Sequence, residues 1–261
     1  MSRYLRLLGI FWRSAVATEL EYRVNFLSNT VMSLFWVTWA GIGISVYFRF
    51  TDSVAGWSYA DLLVVVGLFF TVNGLRQAVF SPNLERMTEY VRNGTLDFLL
   101  TKPVDAQFMA SFRHLGVYNV LDPFIGLGLA VVGLVLGGRG ITPASLGAFA
   151  VTMLAAVLVL YALTLASMAL AVRLVSSEGI DEVSFAFVEA SRFPVQLYRQ
   201  PVQALLTVVP VAFLTTLPAM ALLGRLAPGW LLAAPAVGVA SVLAASAAWR
   251  ASLRGYSGAS A

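Results

Sequence analysis

The sequence contains no cysteine and a single histidine, His114. The lack of cysteine excludes structural disulfides and thiolate metal sites. No stretch matches the phosphate-binding pattern G-x-x-x-x-G-K-S/T, and neither H-E-x-x-H nor another metal-ligand spacing occurs. We therefore predict no catalytic residue, no metal site and no cofactor bound by this chain.

Charge is also scarce: 11% of the 261 residues are charged, whereas 59% are hydrophobic. A soluble domain usually carries about 25% charged residues. The apolar residues come in uncharged blocks of about 20, which is the length that crosses a bilayer as a helix. A soluble domain with a large core does not account for such blocks. We predict an all-α polytopic membrane protein with about six transmembrane helices.

The predicted spans cover residues 24–48, 60–80, 112–136, 145–172, 201–223 and 230–249. Before them, residues 1–22 have aromatic residues on one helical face and arginines on the other, which predicts an amphipathic helix in the membrane interface. Pro123 near the middle of the third span predicts a kink. Gly133 and Gly137 in the same span form a G-x-x-x-G pair, a spacing that permits close helix approach.

The region before the last span has two interpretations. Residues 201–223 can form a full fifth span, with 184–200 on the membrane surface. Alternatively, residues 184–198 form a short span and the following run, which contains Pro210 and Pro218, dips back into the outer leaflet. Broken helices are tolerated at membrane depth when they pack against protein.

The basic residues predict the orientation, because cytosolic loops of membrane proteins are enriched in Lys and Arg. With six spans and a cytosolic N-terminus, 14 of the 17 Lys and Arg residues lie on or near the cytosolic side. The exceptions are Arg49, Arg139 and Arg225. Both termini are therefore expected in the cytosol. The basic residues form no patch or stripe of the kind that binds nucleic acid, and no nucleic acid partner is predicted.

A charged stretch between the second and third spans, residues 83–105, is here called the polar segment. It reads NLERMTEYVRNGTLDFLLTKPVD. We predict a short helix ending at Asn93-Gly94, since glycine accepts the left-handed conformation of a helix C-terminus, and a second short piece over 95–100. A helix with polar ends and an apolar middle can dock on a soluble partner. An ordinary solvated loop with a surface helix accounts for the same residues equally well.

The run EYVRNGTLDFLLTKP (89–103) resembles the segment between the second and third spans of type-two permeases of ATP-binding-cassette (ABC) exporters. There, a G-x-L-D-x-L-L-x-x-P stretch follows a surface helix. The runs RFPVQLY (192–198) and PVAFLTTLPA (210–219) resemble a bacterial branch of this class, long catalogued as a domain of unknown function. The resemblance covers nearly the whole chain.

The resemblance implies one permease domain over residues 1–261, in the bacterial cytoplasmic membrane. It implies two cytosolic ATPase subunits that bind ATP and Mg²⁺, and a second permease, identical or related. The polar segment would be the helix that couples ATPase closure to the spans. Its candidate coupling residues are Glu85, Arg86, Glu89, Arg92, Gly94, Leu96, Asp97, Phe98 and Pro103. Efflux of cationic drugs by some relatives suggests a cationic, amphiphilic or lipid-like substrate.

Asp122 is the most informative residue within the spans. A carboxylate at mid-membrane costs about 2.5–3.5 kcal/mol on insertion scales, so it usually faces a cavity or a partner. Asp122 can bind a cationic substrate, pair with Arg76 or make a structural hydrogen bond beside Pro123. The candidate substrate pathway consists of Phe69, Asn73, Gln77, Asn119 and Asp122.

Three function classes compete. The first is the transmembrane subunit of an ATP-driven exporter. The second is a gradient-driven transporter or channel, which tends to show inverted repeats and several ionisable groups at mid-membrane; no clear repeat is present. The third is a membrane scaffold or assembly factor without transport. An ATPase that co-purifies with the chain separates the first class from the others.

Overall fold

The computed structural model describes residues 2–19, 23–174 and 180–256, which form helices joined by turns. The helices are α1 (Ser2–Glu19), α2 (Arg23–Tyr47), α3 (Tyr59–Leu75), α4 (Ser81–Arg92), α5 (Asp97–Leu100), α6 (Ala106–Phe112), α7 (Asp122–Leu136), α8 (Pro143–Leu174), α9 (Ile180–Glu189), α10 (Gln200–Val208), α11 (Thr216–Leu222) and α12 (Trp230–Arg254). In this described part, five helical stretches are long and apolar enough to cross a membrane, and one bent pair makes a sixth if it counts as one crossing. The prediction of an all-α polytopic membrane protein is confirmed.

Helix α1 packs beside the polar segment. The ring of Tyr4 lies edge-on to that of Phe108 in α6, with 4.8 Å between centroids, and the Phe11 ring lies 6.4 Å from the same residue. Arg3 donates a hydrogen bond of 2.6 Å to the backbone carbonyl of Pro103. The predicted interfacial helix ran over 1–22; residues 1 and 20–22 lie outside the described residues. Helix α1 thus packs against α6 through its aromatic face and contacts the end of the polar segment through Arg3.

The second crossing continues into the polar segment without a break. Helix α3, a π-helical turn at Arg76–Phe80 and α4 form one helical stretch from Tyr59 to Arg92. The sequence prediction placed a boundary after Phe80, and the structure has none there. Pro82 lies in the first turn of α4, directly after the π turn, where the regular helical hydrogen bonds are already interrupted. The backbone carbonyl of Ala78, inside this turn, accepts a 2.8 Å hydrogen bond from Gly116.

The third crossing begins later than predicted. Residues 106–112 form the separate helix α6, and a break over 113–121, with a 3-10 turn at Val117–Asn119, precedes α7. Pro123 stands in the first turn of α7 and does not kink it. Proline is favoured at this position because the first turn needs no N–H and its φ already suits a helix. The predicted kink near the middle of the span is therefore corrected to a helix start.

Helices α3 and α7 approach closely through glycines. A Cβ atom on Gly133 would lie 2.7 Å from the carbonyl oxygen of Ala60, and one on Gly74 would lie 2.7 Å from Pro123. Cβ atoms on Gly67 and Gly126 would also overlap backbone atoms of the facing helix. Small residues permit such backbone contact in lipid. The predicted glycine contact holds for Gly133, and its second member along α7 is Gly126, seven residues earlier.

The region 201–223 is not a straight span. Helix α10 and the stretch Val211–Leu222, which contains α11, are bent by 77° at a short break that contains Pro210. Proline removes a helical hydrogen bond and thereby permits the bend. The crossing, if residues 201–223 form one, is therefore bent at this break. A bent crossing and a segment that dips into the membrane both agree with this geometry.

At the end of the bundle opposite the polar segment, the side chain of Asp61 connects three turns of the chain. Its carboxylate is ion-paired with Arg139 at 3.1 Å and with Arg225 at 2.9 Å, and its side chain is only 1% exposed. Asp61 also completes a capping box with Ser58 at the start of α3. The Arg225 guanidinium lies 5.9 Å from the Trp57 ring. These contacts tie the turn before α3 to the turns before α8 and α12.

Candidate functional site

The polar segment is anchored by its apolar side chains. Leu84, Met87 and Val91 of α4 are buried with Leu96 and Leu99 in a cluster that also contains residues of α8 and α12. The partners include Met168, Val172 and Trp249. Apolar residues at positions 84, 87 and 91 of α4 fall on one helical face, which is why α4 packs on the bundle and leaves its charged face outside. The segment is thereby packed against the ends of α8 and α12.

Most of the predicted coupling residues lie on the outer side of the segment. Glu85, Arg86, Arg92, Phe98 and Pro103 are exposed, and Glu89, Gly94 and Asp97 are partly buried.

Arg86 and Glu89 form an ion pair of 2.6 Å on this outer face. Gly94 has φ +65°, which accounts for glycine at the end of α4. Leu96 is fully buried against the bundle, so its assignment as a coupling residue stays a prediction that would act through packing.

Phe98 is the apolar side chain that projects from this surface. It is 74% exposed, while its neighbours Leu96 and Leu99 are buried. The alternation follows from the short helix α5, which turns positions 96 and 99 inward and position 98 outward. A projecting aromatic ring among charged residues is typical of an interface anchor.

His114 lies between the polar segment and α1, in a cleft of about 660 Å³. Burial, assisted by the Arg113 and Arg86 guanidinium groups, lowers the pKa of His114 to about 4. The imidazole is therefore neutral near pH 7. The side chain of Asn83 fixes the backbone here, since it donates to the carbonyl of His114 at 2.7 Å and accepts from its N–H at 2.9 Å.

A second feature is a cavity of about 280 Å³ between α2, α3, α7 and the residues around the end of α9. Four of the five predicted pathway residues line it, namely Phe69, Asn73, Gln77 and Asp122. We call this cavity the polar chamber. Phe69, Asn73 and Gln77 are four residues apart along the helix and so face the chamber together.

Asn119, the fifth predicted pathway residue, is buried next to the chamber and does not line it. The side chain amide of Asn29 donates to the Asn119 amide oxygen at 3.0 Å and to the two carboxylate oxygens of Asp122 at 3.4 and 3.5 Å. Asn119 therefore supports Asp122 through Asn29.

Asp122 is held by α2. Ser33 donates a 2.7 Å hydrogen bond to its Oδ1. Arg76, proposed above as a partner, is engaged elsewhere, since its guanidinium group donates to Asn73 at 3.3 Å and to Ser81 at 3.0 Å and lies 5.1 Å from the Phe185 ring. The structural hydrogen bond that was one of the alternatives for Asp122 is present, but Ser33 and Asn29 provide it.

Sequence reasoning missed several residues that line the polar chamber. They are Ser33, Trp36, Trp39, Phe185, Glu189 and Arg192. Glu189 and Arg192 form a 2.8 Å ion pair, and the Arg192 guanidinium lies 4.9 Å from the centre of the Phe69 ring. The sequence contained a signal for Glu189 and Arg192, because charged residues that interrupt an aromatic, membrane-like run usually face a cavity.

The chamber combines charge and aromatic surface. Among the described residues, its lining has two carboxylates, Asp122 and Glu189, against one guanidinium, Arg192. Glu189 Oε2 and Arg192 Nε are buried and have no hydrogen-bond partner among the described residues. Carboxylates beside Trp and Phe rings favour an organic cation, through charge and through cation–π attraction. In the described part of the chain, no group of three or more His, Asp or Glu residues could hold a metal ion.

No curated protein and no solved structure matches this chain. A family model described as "ABC-2 family transporter protein" matches residues 34–260, which is most of the chain. The matched range contains the polar segment, the bent pair of helices and, apart from Ser33, the residues that line the polar chamber. The chain therefore belongs to the ABC-2 transporter family and is a transmembrane subunit of an ABC transporter.

Proposed function

We propose that this chain is the permease subunit of an ATP-driven exporter that moves a small cationic or amphiphilic molecule out of the bacterial cytosol. Two separate ATPase subunits bind ATP and Mg²⁺ and supply the energy. The observation that carries the proposal is the polar segment, which presents a charged face and Phe98 to water while its other face is fixed to α8 and α12.

The polar segment is the docking site for the ATPase. The exposed charges of Glu85, Arg86 and Arg92 and the exposed ring of Phe98 all belong to this one segment. A central apolar anchor with a polar rim is the usual composition of a protein interface. The buried anchors, Leu96 among them, would carry a displacement of this surface into the crossings.

The charge distribution supports a cytosolic position for this surface. Arg86, Arg92 and Lys102 lie in the polar segment, whereas the opposite end of the bundle carries Arg49, Arg139 and Arg225. Arg139 and Arg225 are both ion-paired with Asp61, whose single carboxylate offsets one of their two positive charges. With six spans, 14 of the 17 Lys and Arg residues lie on or near the side of the polar segment, which supports a cytosolic position for this segment and for both termini.

The polar chamber is the substrate site. In the described part of its lining, carboxylates outnumber guanidinium groups by one, so a bound cation would balance this charge. Aromatic rings from three elements form the walls, which suits an amphiphilic organic cation better than a hydrated metal ion.

A second permease completes the exporter, and it is either a copy of this chain or a related chain. The exposed face of α2 supports such a contact, since only 17% of the residues in the most apolar stretch of this helix are buried. A copy and a related chain are distinguished by the mass and composition of the purified complex.

The alternative is a gradient-driven transporter without an ATPase. Co-purification from native membranes, followed by reconstitution in vesicles, tests the choice. The proposal expects an ABC ATPase to co-elute and expects accumulation of a fluorescent organic cation that requires ATP and persists when ion gradients are collapsed. Transport that stops with the gradients and ignores ATP would establish the alternative.

A further inference from the structure

A second cavity adjoins the polar chamber along α2. It measures about 260 Å³ and is lined by Trp39, Ala40, Gly43, Ile44, Tyr47, Val66, Arg192 and Phe193. We call it the apolar groove, because Arg192 is its one charged residue. Trp39, Ala40 and Arg192 line both cavities. The two cavities thus form one continuous depression, polar at the Ser33 end of α2 and apolar at the Tyr47 end.

The positions on α2 explain this continuity. Trp36, Ala40, Gly43 and Tyr47 recur at intervals of three and four residues and so lie on one helical face. From Trp39 to Tyr47 this face extends for about 12 Å at 1.5 Å per residue. Gly43 leaves the groove open, since a Cβ atom built on it would meet nothing within 4 Å.

We infer that the substrate is a cation with an apolar tail, whose head occupies the polar chamber and whose tail lies along α2 in the apolar groove. The inference rests on the proposed function and adds the shape and direction of the substrate. The head lies between Asp122 and Glu189, where the carboxylates outnumber the guanidinium groups. The tail points toward the end of the bundle that carries Asp61.

Charge and continuity favour this occupant over a helix of a second permease. A partner helix would cover the groove, but it would leave the charge imbalance of the adjoining chamber without a counterion. A tail attached to a cation occupies both parts at once. Together the two cavities fall in the range of about 300–1,000 Å³ that is usual for small-molecule sites.

The test fills the groove while leaving the polar chamber intact. Gly43→Leu adds a side chain where the structure has space, and Gly43→Ala adds a smaller one. Gly128→Leu is the matched control, because Gly128 lies on the exposed face of α7 and also has nothing within 4 Å of a Cβ atom. The full chain in lipid nanodiscs is titrated with radiolabelled octyltrimethylammonium and tetramethylammonium. Thermal unfolding and the mass of each variant are measured beside binding.

In the wild type, each tail methylene that enters the groove should tighten binding up to about fourfold, which is the ~0.8 kcal/mol transfer free energy of one methylene group. Gly43→Leu should weaken octyltrimethylammonium at least about tenfold, because several methylenes are displaced, and should leave tetramethylammonium unchanged. The affinity of Gly43→Ala for octyltrimethylammonium should lie between those of the wild type and Gly43→Leu. This variant keeps the test informative if Gly43→Leu does not fold. Long tails also partition into lipid, so each affinity is compared with that of Gly128→Leu.

Equal effects of Gly43→Leu on both cations, or no effect on either, would overturn the inference, as would the absence of saturable binding of both. A changed oligomeric mass with unchanged tail preference would assign the groove to a second permease. Tail-selective binding in a chain that neither co-purifies with an ATPase nor transports with ATP would sink the proposed function and leave the groove assignment in place.

Discussion

Replacing Phe98 with alanine should weaken the ATPase contact without weakening the fold. Because Phe98 is 74% exposed, about three quarters of its surface is available to a partner. Full burial of a phenylalanine side chain contributes about 1.5–3 kcal/mol. Docking through Phe98 is therefore expected to contribute about 1–2 kcal/mol for each permease, which corresponds to a ~5–30-fold change in Kd.

The assay measures the affinity of the co-purified ATPase for the wild-type chain and for Phe98→Ala, both in nanodiscs, together with substrate-stimulated ATP hydrolysis. Phe50→Ala is the matched control, because Phe50 is 88% exposed and lies after α2, near the opposite end of the bundle. Leu96→Ala should instead weaken the fold, because removing this buried side chain destabilises the protein by about 2–5 kcal/mol. Unchanged ATPase affinity in Phe98→Ala, or an equal loss in Phe50→Ala, would refute the docking assignment.

Three further predictions concern the membrane part. Asp122→Asn should reduce ATP-driven export of an organic cation by about tenfold or more, since loss of one favourable charge contact costs at least ~1.4 kcal/mol, with assembly unchanged by size-exclusion chromatography; undiminished export would remove Asp122 from the pathway. Gly126→Leu should lower the midpoint of thermal unfolding strongly, because overpacking a helix contact costs about 1–3 kcal/mol. Gly128→Leu should not lower it. Equal midpoints in the two variants would contradict the close packing of α3 against α7. Asp61→Asn should lower the free energy of unfolding by about 1–3 kcal/mol through loss of both arginine ion pairs, whereas the exposed acid Asp52 should tolerate the same change; an equal shift in both would show that the ion pairs contribute nothing.

The general architecture was predictable because it depends on composition over long stretches. Blocks of about 20 uncharged apolar residues predict crossings, since a bilayer leaves few alternatives. The glycine at the end of α4 was predictable for a local reason, because the left-handed conformation at Gly94 favours that residue. The shared face of Phe69, Asn73 and Gln77 follows from helical spacing, and their grouping in one cavity agrees with it.

The missed features depend on tertiary context. Pro123 is compatible with a kink and with a helix start, and only the packing of 113–121 against α4 through Asn83 selects the second. The π turn at 76–80 has no sequence pattern of its own. Glu189 and Arg192 lie in a stretch whose membrane position was ambiguous, so their approach to Phe69 could not be read from spacing.

One helical stretch links the features on which the proposed mechanism depends. The stretch from Tyr59 to Arg92 carries Asp61 at one end, the chamber residue Asn73 in the middle and Glu85 near the other end. Its length is about 50 Å at 1.5 Å per residue. A regular helix would carry a displacement of the docking surface directly to the chamber and onward to the ion pairs of Asp61. The π turn at Arg76–Phe80 interrupts that regular path between Asn73 and Glu85, next to the chamber, and the Ala78 carbonyl within it accepts a hydrogen bond from the Gly116 N–H. Because helices kink at π turns, which are frequent at functional sites, we expect a force on α4 to bend the stretch beside the chamber before it reaches the Asp61 ion pairs at the far end.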